Sequence, residues 1–250
     1  MRPVSSGRQK PARTDVVIFD KKMGCDLRPL DPGHPLGGVY SNPWALRAFI
    51  DDARRNHADR LYCLGDLGGY GTEPDAVWPL LTGNDIICVA DNYDVAIASG
   101  AEDCGCGYRD PRDQEYAEMM YDFTLRNTDR RFAAWMGTLR TERREKLDGC
   151  DVHFVHGSTT GLNDFWWESL PEAEHRRRVE ASGADVIVCT RSGLPWIRRV
   201  GESLVVNVGV IVDGPPTTVT GVSATPWSTS RTESRERGSS ACTTTSAPSP

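Results

Sequence analysis

Leu61-Tyr62-Cys63-Leu64-Gly65-Asp66-Leu67-Gly68-Gly69-Tyr70-Gly71 is the stretch on which the reading of this chain turns. Four apolar residues fit a buried strand, and the strand runs directly into a carboxylate flanked by glycines. Asp66 is therefore expected at the C-terminal end of a strand, where open α/β sheets place their ligand sites. The glycines let a ligand come close to the backbone. An aspartate after a buried strand is also an ordinary loop or helix cap, so the neighbouring segments must decide between the two.

Outward from this stretch, further strands are read over Asp85 to Val89, Val152 to Val155, Asp185 to Cys189 and Leu204 to Val208. Helical patterns lie between them. The clearest begins with Asn42 as N-cap and Pro43 at the first helical position, with Leu46, Phe49, Ile50 and Ala53 at core-facing spacing. Such alternation points to a layered α/β fold. Two more strands end on polar residues, in Asp91-Asn92-Tyr93-Asp94 and in His156-Gly157-Ser158. Carboxylate, amide oxygen and imidazole together suit a borderline or hard divalent metal. Taken singly, Asn92 and Asp94 also fit an Asx-type turn, and His156 a hydrogen-bonded core histidine. Their repeated placement after strands favours a shared site.

The chain has 250 residues, 38% hydrophobic and 26% charged, enough for one substantial core. We divide it into an irregular lead segment (1–35), one domain (36–212) and a Ser/Thr/Pro-rich tail (213–250) expected to be disordered. A net charge of -6 argues against general nucleic-acid binding. The apolar runs, such as Val16 to Phe19 and Ala184 to Cys189, are too short to cross a bilayer, and no secretion-type segment is read at the N-terminus. A cytoplasmic protein with reduced thiols is expected. Cys104-x-Cys106 reads as structural or incidental rather than as half of a zinc site. Phe165, Trp166 and Trp167 fit either a pocket wall for a flat group or, more commonly, core packing.

The ordered segments Gly38-Val39-Tyr40-Ser41-Asn42, Gly65-Asp66, Asp91-Asn92-Tyr93-Asp94, His156-Gly157-Ser158, Thr190-Arg191-Ser192-Gly193 and Val206-Asn207-Val208-Gly209 resemble the motif series of the calcineurin-like metallophosphoesterase superfamily. The resemblance covers roughly Gly37 to Ile211. It is nearest to a bacterial branch with tyrosines at the first and third motifs and with segments like Cys104 to Asp113 and Asn163 to Ser169.

That resemblance implies a two-sheet sandwich flanked by helices, in α-β-β-α layers. It also implies hydrolysis of a phosphate mono- or diester with a divalent metal: Mn²⁺, Zn²⁺, Fe²⁺ or Mg²⁺. Asp66, Asn92 and His156 correspond to metal ligands. Tyr93 takes the place of a histidine used in proton transfer or phosphate contact. Arg191 stands where another ligand is usual, and its planar fork suits a phosphate. Gly38, Tyr40 and Gly193 stand where the other metal's ligands are expected. The losses leave a second reading open: a catalytically impaired member that binds a phosphate-bearing ligand or a protein partner. The strand expected just before Gly37 is weak, because Leu30 to Leu36 contains prolines and a glycine. In an alternative register, Asp20, after Val16 to Phe19, takes the first-motif role.

Overall fold

The computed structural model describes residues 33–108 and 110–211. The expectations for the lead segment before Gly33, including the Asp20 register, and for the tail after Val212 lie outside the described residues.

The strand before Gly37 does form. Strand β1 (Gly33–Leu36) pairs in parallel with β2 (Arg60–Cys63), which pairs in parallel with β3 (Ile87–Cys88). Pro35 is tolerated because β1 is the edge strand of this three-stranded sheet, where one side of the backbone needs no ladder partner. The second sheet contains β4 (Glu142–Leu147), β5 (Cys150–Val155), β6 (Val186–Cys189), β7 (Trp196–Val200) and β8 (Ser203–Asn207), in the order β4-β5-β6-β8-β7. Its centre, β5-β6-β8, is parallel, and each edge strand is antiparallel.

Helix α1 (Pro43–Arg55) starts where the sequence indicates, with the Asn42 side chain accepting from the Ala45 N–H at 2.9 Å. Such a cap stabilises a helix by about 1 kcal/mol. Helices α2 (Trp78–Gly83), α3 (Asn92–Ser99), α4 (Pro111–Asn127) and α5 (Arg130–Met136) follow, with α6 (Glu172–Ser182) between β5 and β6.

Three apolar clusters define the layers. Tyr62, Leu64 and Val89 from the first sheet meet Val152, Phe154, Val186, Val188, Leu204 and Val206 from the second, so the two sheets face one another. Tyr62 stacks on Phe154 with ring centroids 4.4 Å apart. Leu46, Ile50, Leu81, Ile97, Tyr121 and Phe132 pack helices on the outer side of the first sheet. Trp166, Val179 and Trp196 do so on the second, with Ile187 and Val205. The order is helix, sheet, sheet, helix, as the family resemblance implied. Of the aromatic trio, Trp166 is a core residue, fully buried, while Trp167 is 38% exposed.

One expectation is corrected here. Cys104 and Cys106 are disulfide-linked rather than free thiols, since the bend at Gly105 (φ +63°) brings their Cα atoms to 5.4 Å. Cys63, Cys88 and Cys189 are free. No helix among the described residues is long and apolar enough to cross a membrane.

Candidate metal centre at the strand ends

The parallel strands of both sheets deliver their C-terminal ends to one edge of the sandwich. Tyr40 follows β1, Asp66 follows β2, Asp91 and Asn92 follow β3, His156 follows β5 and Arg191 follows β6. The loops are tied together by backbone bonds. The Asp66 carbonyl accepts from the N–H groups of Val39 (3.0 Å) and Tyr40 (2.8 Å), and the His156 carbonyl from those of Thr190 (3.0 Å) and Arg191 (3.1 Å). Tyr40, Ser41 and Asp66 all adopt left-handed backbone, with φ of 50°, 51° and 51°. Such conformations in non-glycine residues cost of order 1–3 kcal/mol each and persist only where the surroundings enforce them.

His156 is fully buried, and its Nδ1 lies 2.6 Å from the Leu64 carbonyl. A carbonyl can only accept, so Nδ1 carries the proton and Nε2 presents a lone pair. Burial holds the imidazole below its ordinary pKa, which keeps that lone pair free of protons. Nε2 has no hydrogen-bond partner. It faces Asp66 Oδ2 at 3.8 Å and Asp91 Oδ2 at 3.7 Å.

Asp91 divides its carboxylate between two tasks. Oδ1 caps α3, accepting from the Asp94 N–H at 2.7 Å, while the buried Oδ2 is left without a partner. Asp94 returns the favour: its oxygens accept from the N–H groups of Leu67 (3.1 Å) and Asp91 (3.2 Å). Burial, and then the charge of Asp91, push the Asp66 carboxyl well above the usual carboxylate range.

Three possible ligand atoms, on Asp66, Asp91 and His156, thus lie within 4.8 Å of one another, and those of Asp91 and His156 have no hydrogen-bond partner. A tetrahedral shell with bonds of about 2.1 Å spaces its ligands by about 3.4 Å, so this cluster fits a cation. Gly65 makes the approach feasible. A Cβ there would stand 2.7 Å from Asp91 Cβ and 3.2 Å from His156 Nδ1, and its φ of +93° suits glycine alone.

The other side of Asp66 is different. The Tyr40 ring lies against Gly38, where a Cβ would meet Tyr40 Cε2 and Asp66 Cβ, each at 2.8 Å. Burial, then the Asp66 charge, drive the Tyr40 phenol far above its ordinary pKa. The phenol stays protonated and donates towards the Asp66 carboxylate. Gly193 contributes no side chain here.

The remaining residues read from the sequence are placed as follows. Asn92 Nδ2 donates to the Cys104 carbonyl at 2.8 Å, and its Oδ1 accepts from Arg191 Nη1. Arg191 also donates to the Cys106 carbonyl at 2.7 Å, and its guanidinium lies 4.6 Å from the centre of the Phe165 ring. The Tyr93 hydroxyl is 2.9 Å from Thr124 Oγ1 and 3.1 Å from the Met120 carbonyl, both on α4. Asp91 is not among the ligands expected from the sequence, where it reads only as part of a polar segment that ends a strand. The available signal is its place directly after an apolar strand.

No protein-family model matches this sequence. A crystal structure of a hypothetical protein from Pyrococcus horikoshii OT3 superposes with a TM-score of 0.62 at 17% identity, over 72% of this chain and 77% of that one. A crystal structure of a metallophosphoesterase from Sphaerobacter thermophilus gives 0.55 at 19% identity, over 72% and 76%. The chain has the metallophosphoesterase fold. An uncharacterized protein of Methanocaldococcus jannaschii is 29% identical over 62 residues, which is 25% of this chain and 26% of that relative. The metallophosphoesterase fold explains why the donors meet: parallel strands of two facing sheets all end at the same edge.

Proposed function

We propose that the chain is a metal-dependent phosphoesterase whose divalent cation is held by Asp66, Asp91 and His156. The observation that carries this reading is the convergence of three possible ligand atoms, two of them buried and unpartnered. A mixed imidazole and carboxylate set suits Mn²⁺, Zn²⁺ or Fe²⁺ better than Mg²⁺, which prefers oxygen donors. When bound, such a cation polarises a phosphoryl oxygen and lowers the pKa of water.

The chain's own residues prepare the site. The Leu64 carbonyl fixes the tautomer and direction of His156. Asp94 holds the first turn of α3 against the loop after β2, and so fixes Asp91 relative to Asp66. Asn92 Oδ1 has two lone pairs, one taken by Arg191, and the other is available as a further donor to the cation. Arg191 brings a positive charge to the edge of the site, where it attracts a phosphoester anion. Tyr93, with its hydroxyl turned to α4, holds α3 in place rather than moving a proton.

The test is hydrolysis of chromogenic phosphate mono- and diesters with Mn²⁺, Zn²⁺, Mg²⁺ or chelator, beside an Asp66→Ala control. Turnover that needs metal and vanishes in the control is expected. Its absence with every metal, from protein that melts cooperatively, would overturn the proposal. The guanidinium contact to Asn92 favours a second reading, a non-catalytic binder of a phosphate-bearing ligand or protein partner, for which inorganic phosphate would bind equally well with and without metal.

A further inference from the structure

We infer that this chain binds one divalent cation rather than a pair, because the side chains on the Tyr40 side of Asp66 supply too few donors to hold a second ion. The inference rests on the reading of Asp66, Asp91 and His156 as a cation site and concerns what lies on the opposite side of Asp66.

A second ion bridged by Asp66 needs further donors on the Tyr40 side. The side chains there supply too few: Gly38 and Gly193 have no donor atom, and the Tyr40 ring lies against Gly38 beside Asp66, leaving its single hydroxyl as the one side-chain donor at these three positions. Its neighbour Tyr70, packed edge-on at 5.3 Å, is also a phenol and pairs its hydroxyl with that of Tyr108 at 3.0 Å. Among the described residues, no second group of three His, Cys, Asp or Glu donors converges.

The phenol is not a side chain that happens to have swung in. Its backbone is held at φ +50° by the bond from its own N–H to the Asp66 carbonyl, and Ser41 N–H is bound to the Leu67 carbonyl at 3.1 Å. The loop that would deliver a ligand to a second ion is thereby locked with a ring over Gly38.

The experiment uses the full chain equilibrated with Mn²⁺ and freed of excess. Metal content is measured by mass spectrometry and the electronic state by frozen-solution electron paramagnetic resonance. One equivalent per chain, with a mononuclear Mn²⁺ spectrum, is expected. Tyr40→Phe should keep one equivalent. Asp91→Asn, which still caps α3, should lose at least about tenfold in affinity, and His156→Ala should hold none. Two equivalents, or an exchange-coupled spectrum, would overturn the single-ion inference while leaving the phosphoesterase reading intact. No bound metal in folded wild-type protein would overturn both. Retention of the full equivalent by Asp91→Asn and His156→Ala alike would place the ion elsewhere and overturn the inference as well.

Discussion

His156 and His175 are the two fully buried histidines that invite comparison. Each has a ring nitrogen directed at a backbone carbonyl, Leu64 for His156 and Glu168 for His175, so each is a neutral tautomer with one lone pair to place. Burial lowers the pKa of both. In His175 the lone pair on Nδ1 accepts the Trp166 indole N–H at 3.0 Å, and the ring packs edge-on against Trp196. In His156 the lone pair meets two carboxylates and no donor. The pair separates a histidine that completes a core from one that is prepared for a ligand. The distinction lies in what faces the second nitrogen, not in burial or in pKa.

The largest test of that contrast is Asp66→Asn, which removes charge from the group facing His156 but keeps its shape. Metal-dependent turnover is expected to fall by at least about 100-fold, while the chelated protein melts no lower than wild type, because a buried carboxylate has been neutralised. Unchanged turnover would return His156 to the class of His175.

Gly65→Ala is next in size. Its Cβ would crowd Asp91 and the His156 ring at a φ that alanine resists, and we expect a loss of about 1–3 kcal/mol in denaturant midpoint analysis. A neutral effect would mean that the cluster is less closely packed than described.

The smallest effect concerns pH. The folded pKa of His175 is depressed, so the unfolded chain binds more protons; the resulting stability is complete above the unfolded pKa of about 6.5 and is lost as pH falls below it. His175→Gln can still accept from Trp166 but does not titrate. The advantage of wild type over this variant should therefore shrink below about pH 6.5, by at most about 1.4 kcal/mol per pH unit. A constant difference in urea-unfolding free energy between pH 7 and pH 5 would sink the assigned tautomer.

Much of this architecture was legible because buried parallel strands are continuous apolar runs. Those at β2, β5, β6 and β8 were each found within two residues of their observed limits. Strands β4, Glu-Arg-Arg-Glu-Lys-Leu, and β7, Trp-Ile-Arg-Arg-Val, were not read. Both are edges with solvent on one side, and their charges mask the alternation that marks a strand. Strand β1 reads as weak for a related reason, since a proline such as Pro35 is harmless only at an edge. At the site, Asp66 and His156 stood out from their positions after strands. Asp91 did not, and the structure shows it serving the helix too, as the N-cap of a capping box with Asp94. Nothing in a sequence shows that a single carboxylate serves a helix with one oxygen and a cluster with the other. The Arg191 contact to Asn92 spans 99 positions and belongs to the packing alone.

The bridge between Gly38 and Val210 bears on how the molecule is made. Gly37 accepts the Gly209 carbonyl so closely that a Cβ would lie 1.6 Å from it, and the Ile211 N–H donates to the Gly38 carbonyl at 3.0 Å. The loop carrying Tyr40 is translated early, yet its supporting contacts come from the far end of the described chain. A nascent chain can therefore pair β1 to β3 and β4 to β6 while the floor beneath Tyr40 is still missing, with β7 waiting for β8. Contacts of such long sequence separation form late and slowly. The edge that gathers Asp66, Asp91 and His156 is thus expected to be the last part of the domain to mature, closing only after β8 has left the ribosome.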